Sequence, residues 1–287
     1  MKSLFLHLKP PFPVLFHIIL SSCFIHFRAV LCNNTEWYTS CTNLFNCGGI
    51  TGVDYPFWGG DRPQECGHAG LELTCENDIP TIEIMDVKYR VLEIDPNNQI
   101  LRIKRQDFSI NDICPENFIN TTLDSNLFEF SSGYVNLTIQ YGCPPLNIHV
   151  PAQLICQINR ITYQNCYIIP GAQGPGTCRA SIFFPIPSTA FGGISQELSL
   201  LGQVIERGFE VRWKMDSTLC NECRNSSGSC GFDLKSNRFT CLCPGNQPSG
   251  YYGCVTVSAY SELGVVGGNG AALVFRRNKF LFVHGFD

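Results

Sequence analysis

The 287-residue sequence lacks any large excess of charge: 20 Lys and Arg stand against 24 Asp and Glu, a formal net charge of −4. That balance excludes a generally basic, nucleic-acid-binding surface, so an anionic partner needs a local basic patch. Long apolar runs are missing too. Phe12 to Ile25 is broken by His17 and two serines, and Leu263 to Phe275 holds only 13 residues with Asn269 inside; a bilayer span needs about 20. There is no Gly-x-Ser-x-Gly elbow, no His-Glu-x-x-His, and no kinase glycine loop, catalytic-loop Asp or Mg²⁺-binding motif. Carboxylate pairs such as Glu72 and Glu76 arise by chance among 24 acidic residues, whereas a glycosidase needs its two carboxyls at a set separation. The sequence reads as non-catalytic, with no cofactor and no metal.

Cysteine, by contrast, is abundant, at 17 residues. Lys2 and Lys9 precede the first apolar stretch, and Val30-Leu31-Cys32 gives a small-residue cleavage pattern before Asn33. Residues 1–32 therefore read as a secretory signal peptide. In that oxidising route the cysteines are expected as disulfides, and Cys-x2-Cys at Cys220 and Cys223 is not taken as a zinc site. Sequons at Asn33, Asn120, Asn136 and Asn225 fit a secreted glycoprotein.

Cys41 to Cys75 organises the chain. It contains Cys41, Cys47, Cys66 and Cys75 among glycines and prolines, around Tyr55-Pro56-Phe57-Trp58. That composition leaves room for turns and short strands only, and three disulfide connectivities are open. Beyond it, Thr81–Met85, Tyr89–Ile94 and Ile100–Lys104 alternate as strands. Asp95-Pro96-Asn97-Asn98 supplies turn chemistry for a hairpin between the last two. Asn126–Phe130 and Tyr134–Tyr141 read as a second pair across Ser131-Ser132-Gly133, and Cys143-Pro144-Pro145 ends the run.

Cys114 and Cys143 fall in this first half; Cys156, Cys166 and Cys178 open the second. One helix is expected near 194–207, stopped by Gly208, and Phe209, Val211 and Trp213 then alternate as a strand. The fold class is thus mostly β: small disulfide-rich domains of short strands and hairpins, one helix near 194–207, and an EGF-like cysteine cluster at 220–254. The EGF-like resemblance of Cys241-x-Cys243 implies pairs Cys220–Cys230, Cys223–Cys241 and Cys243–Cys254. The expected domains are 33–145 and 146–254, followed by an apolar, glycine-rich tail, 255–287, without regular structure.

Cys47-Gly48-Gly49, Asp54-Tyr55-Pro56-Phe57-Trp58, Cys66-Gly67 and Gly70-Leu71-Glu72-Leu73-Thr74-Cys75 resemble the galacturonan-binding domain of plant wall-associated receptor kinases, the leaf-rust-resistance type above all. Gly208 to Trp213, Cys220 to Cys223, Ser229-Cys230-Gly231 and Phe239 to Cys243 resemble the C-terminal wall-associated module. The resemblance implies an extracellular ectodomain that binds pectin, an anionic cell-wall polysaccharide, and works beside membrane receptor kinases. The alternative is a protein-interaction or decoy ectodomain that recognises a peptide or co-receptor.

Galacturonan carries a carboxylate on every sugar, so basic residues at intervals are the requirement, and Arg grips a carboxylate with two bonds. Lys88, Arg90, Arg102, Lys104 and Arg105 form the densest basic run, opposed between 88 and 105 only by Glu93 and Asp95. Trp58, with Arg62 near it, is the candidate for stacking on a sugar ring. A groove of this kind loses its ligand as salt rises.

Overall fold

The computed structural model describes residues 33–108, 114–115, 117–145, 153–158, 160–194, 199–245 and 253–254, with the backbone of three short strands beyond 264. The signal peptide expected over 1–32 lies outside the described residues. Two compact units are present: Asn43–Ser217 with Gly231–Asn237, and the described parts of Met1–Thr42, Thr218–Cys230 and Arg238–Asp287.

The larger unit begins with a hairpin of Phe45–Cys47 (β1) and Ile50–Val53 (β2). Gly48 has φ +54, and a Cβ there would sit 2.2 Å from the Asp78 carbonyl oxygen, so only glycine fits. An antiparallel meander follows: Leu73–Glu76 (β3), Ile79–Ile84 (β4), Val87–Asp95 (β5) and Ile100–Arg105 (β6). Its first two turns, Asn77-Asp78 and Met85-Asp86, have positive φ at both residues, the signature of the tight turn that matches strand twist. Phe128–Phe130 (β7) and Tyr134–Tyr141 (β8) come next. They do not pair with each other as expected. The chain turns at Gly133, φ +89, and the two strands enter different sheets.

The second sheet has four strands, built from β8 with Gln153–Ile158 (β9), Ile161–Pro170 (β10) and Ala180–Pro187 (β11), in the order β11-β8-β10-β9. Helices Phe191–Ile194 (α2) and Ser199–Arg207 (α3) add Ile194, Leu201, Val204 and Ile205 to its core, beside Leu137, Ile139 and Ile182. Gly208 ends α3 with φ +69 and its N–H on the Ile205 carbonyl, the C-terminal stop expected from sequence. Phe209–Trp213 (β12) then returns to the first sheet, completing six strands in the order β3-β4-β5-β6-β12-β7.

Strand pairing therefore crosses the division expected at 145/146. β12 sits between β6 and β7, and β8 lies between β10 and β11. The cores follow the sheets. Phe57 meets Trp213 edge-on at 5.0 Å between ring centroids, and Tyr89 meets Phe209 at 5.8 Å. Cys114–Cys156 and Cys143–Cys178 join the same two stretches covalently. An early strand whose hydrophobic partners arrive about a hundred residues later cannot close its core without them.

In the smaller unit, the helix Asn33–Thr42 (α1) precedes Thr218–Asn225 (α4) in sequence, and the Tyr38 hydroxyl reaches the Ser227 carbonyl at 3.5 Å. The disulfides Cys220–Cys230, Cys223–Cys241 and Cys243–Cys254 are those that the EGF-like resemblance implies. A Cβ on Gly228 would lie 2.4 Å from Cys241 Sγ and 2.6 Å from Cys223 Sγ, so sulfur fills the space a core side chain would take. Cys47 pairs with Cys75, and Cys41 and Cys66 are each disulfide-bonded. Cys166 is free and buried, and burial raises its thiol pKa. The tail, expected to lack regular structure, carries antiparallel strands Val265–Gly267, Ala272–Arg276 and Lys279–Phe282. Valine, leucine and phenylalanine in those segments favour strands.

Candidate functional site

The six-stranded sheet has one apolar face and one charged face. Leu73, Ile82, Tyr89, Ile103 and Val211 are buried on the core side, and strand alternation turns their neighbours outward. Register sets what those neighbours meet. Glu83 stands opposite Lys88, Glu93 opposite Arg102, Arg102 opposite Glu210, and Arg212 opposite Glu129. The face therefore carries cross-strand charge pairs around one like-charged pair, Arg90 opposite Lys104, and the basic run of the hairpin is largely answered by acids.

Each candidate residue has a definite place. Lys88 pairs with Glu76 at 3.2 Å, Arg102 pairs with Glu93, and Lys104 pairs with Glu206. Arg90 is exposed and has no ion pair among the described residues. Arg105 and Arg62 belong to the interior. Arg105 is 3 % exposed; it grips Asp107 with bonds of 2.9 and 2.7 Å, donates to the Ile119 carbonyl and lies 5.0 Å from the Phe108 ring centroid. Burial, partly offset by this guanidinium, pushes the Tyr89 hydroxyl pKa up. Arg62 is 1 % exposed and spans Asp54 at 3.0 Å and the carbonyls of Asn43, Phe57 and Cys66. Both guanidiniums cross-link backbone, which removes them from any ligand surface.

Trp58 is half-buried and donates its ring N–H to the His68 carbonyl at 2.9 Å. It lines an open cleft of about 330 Å³ with Glu72, Glu76, Glu83 and Lys88, so acids outnumber the one cation there. A second cleft, about 380 Å³, lies on β5, β6, β12 and the 131–132 turn, lined by Asp95, Asn98, Arg102, Ser131, Glu210 and Arg212. Burial, then the Glu210 carboxylate, raises the Tyr134 hydroxyl pKa beside it, while Arg102 pulls it back. Asp95 holds the adjoining turn: the Asn98 side-chain amide donates to its carboxylate at 2.7 Å, the Asn98 and Asn97 N–H groups donate at 3.2 and 3.0 Å, and these bonds lower its pKa.

Glu210 and Arg212 escaped the reading of the sequence because they lie more than a hundred residues beyond the hairpin. The alternation Phe209, Val211, Trp213 was the available signal, since it turns Glu210 and Arg212 to the opposite face. Of the sequons, Asn225 is exposed, Asn136 is half-buried on β8, and Asn120 accepts the Phe183 N–H at 3.0 Å. The Asn33 side chain lies outside the described residues.

The family comparisons converge on these elements. The model described as wall-associated receptor kinase galacturonan-binding matches residues 41–105, from just before β1 to the end of β6. The model described as wall-associated receptor kinase C-terminal matches residues 161–246. Three similar proteins from Arabidopsis thaliana carry the name leaf rust 10 disease-resistance locus receptor-like protein kinase-like. Number 1.3 is 31 % identical over 84 % of this chain and 35 % of its own length. Number 2.4 is 35 % identical over 67 % of this chain and 30 % of its own length. Number 1.4 is 30 % identical over 94 % of this chain and 38 % of its own length. The chain thus spans about a third of the length of these relatives. No solved structure matches it, and among the described residues no helix is long and apolar enough to cross a membrane. With both modules matched over more than half of its residues, the chain belongs to the wall-associated, leaf-rust-10-type family of receptor-like kinase ectodomains.

Proposed function

We propose that the chain is a non-catalytic, extracellular ectodomain that binds galacturonan on the charged face of its six-stranded sheet. The observation that carries this reading is the match of a galacturonan-binding family model to residues 41–105, the segment that builds four strands of that sheet. The sheet's outer face supports it, with two open clefts of about 330 and 380 Å³ lined by planar polar side chains and, in one, by Trp58. Carboxylate, amide and guanidinium groups suit recognition of ring hydroxyls and uronate carboxylates.

The charge pairing alters what binding should look like. Lys88, Arg102 and Lys104 each have a carboxylate partner, so a uronate must compete with that acid and gains little from long-range attraction. Binding falls only modestly with salt, unlike the steep loss expected of a basic groove. Secretion through a leader at 1–32 and a glycan on exposed Asn225 belong to the same reading.

Calorimetric titration of the secreted chain with oligogalacturonides, and with a neutral galactan of equal length, tests it. Saturable binding of the first alone, weakened severalfold by salt, is the expected result. Equal binding of both, or of neither, would overturn the galacturonan assignment.

A further inference from the structure

The cleft beside Trp58, about 330 Å³ in volume, holds Glu72, Glu76 and Glu83 against Lys88 alone, the weaker of the two clefts for a uronate. Strand alternation and register place these acids. Glu72, Thr74 and Glu76 are spaced two apart along the chain into β3, so they share one face, about 7 Å between successive members. Leu73 stands opposite Ile82 and Thr74 opposite Thr81, which brings Glu72 level with Glu83 on β4. Lys88 stands opposite Glu83 on β5 but makes its ion pair with Glu76, at 3.2 Å. Glu72 and Glu83 are exposed, and neither has an ion pair among the described residues.

The aromatic wall of the cleft is fixed in place. The Trp58 N–H donates to the Leu71 carbonyl at 3.3 Å, and its carbonyl accepts the Leu73 N–H at 2.7 Å. Its ring N–H is held by the His68 carbonyl. The half-exposed indole is thus positioned in advance, with its backbone bridged to Glu72. An indole beside unanswered carboxylates suits a guanidinium, which stacks on the ring and forks onto an acid at once. A point ion fits less well. Among the described residues no three carboxylates bring oxygens within 4.8 Å of one another, so the acids are spread along the strands for an extended ligand.

We infer that this cleft is a docking site for an arginine-bearing peptide segment of a partner protein. One guanidinium lies against Trp58 between Glu72 and Glu83, and a second basic residue meets Glu76 in exchange with Lys88. The docking site goes beyond the galacturonan reading and is independent of it, because it asks for the opposite charge in the ligand.

The test titrates the full secreted chain with a capped hexapeptide carrying arginine at alternate positions, and with the same peptide carrying glutamine there instead. Glu72→Gln with Glu83→Gln removes two charges from the cleft. Glu93→Gln with Glu129→Gln removes two from elsewhere on the same face. All four side chains are exposed, so both double variants are expected to keep the wild-type melting temperature. Wild type is expected to bind the arginine peptide saturably and the glutamine peptide not at all. The first pair should weaken that binding about fivefold and the second pair less than about twofold. Equal weakening by both pairs would overturn the site as mere net-charge attraction. Saturable binding of spermidine or calcium without the peptide would overturn the peptide as occupant. Loss of all peptide binding, with oligogalacturonide still bound, would overturn the docking site and leave the galacturonan reading standing.

Discussion

Two arginines decide how basic residues in this family member should be read. Arg62 and Arg105 look like surface cations in sequence, yet each is buried: Arg62 spends its donors on Asp54 and three backbone carbonyls, Arg105 on Asp107, the Ile119 carbonyl and the Thr121 hydroxyl. For Arg105 a local rule was available: adjacent strand residues face opposite ways, so Lys104 and Arg105 could not share the charged face. Arg62 offered no such signal, because its partners Asp54, Asn43 and Cys66 meet only through the folding of a glycine-rich loop. Arg62→Met would remove the ion pair to Asp54 and the guanidinium bonds to the carbonyls of Asn43, Phe57 and Cys66. A loss of about 3–5 kcal/mol is expected in denaturant unfolding, and a loss within experimental error would contradict the structural role. Gly228→Ala pushes a methyl group into Cys241 and Cys223 Sγ; mass spectrometry of the secreted protein should then show misoxidised cysteines and lower yield. Asp95 predicts a pH effect. Its pKa is lowered in the folded state, so its contribution is present above the unfolded value, about 3.9, and disappears as pH falls through the folded value. Wild type should exceed Asp95→Asn in stability at neutral pH, and the gap should close in acid. A gap that widens in acid would reverse the assignment.

At the scale of elements, the meander from β3 to β6 was legible because apolar alternation and turn residues sit next to each other in the chain. Asp95-Pro96-Asn97-Asn98 marked one turn correctly. The register was not legible. A bulge between Val91 and Glu93 shifts Glu93 opposite Arg102, and no local pattern announces it. Nor could the sequence show that β12 separates β6 from β7, since that pairing joins residues about a hundred positions apart. The energetic consequence is direct. Trp213 is 3 % exposed and meets Phe57 edge-on, so Trp213→Ala should cost about 3–5 kcal/mol. The fragment 33–145, which lacks β12, should give no cooperative unfolding transition by circular dichroism. A cooperative transition from that fragment would show that the first half closes its core unaided.

For the whole molecule, cysteine count and composition were enough to read a mostly β, cross-linked chain, and the resemblance of two motif sets carried the family. The site was legible only in part. Arg90, Lys88 and Arg102 do lie on the charged face, but the register that brings Glu76 to Lys88 and Glu93 to Arg102 is not written in the local sequence, and the Arg212 cleft exists only once both halves share a sheet. On the proposed reading, this shared sheet and not the cystine cluster at 220–254 receives the polysaccharide. Hydrogen–deuterium exchange of the secreted chain with and without saturating oligogalacturonide tests it most directly. Slowed exchange in 93–102, in the 131–133 turn and in 209–213 is the predicted result; slowed exchange confined to 220–254, or none anywhere, would contradict it.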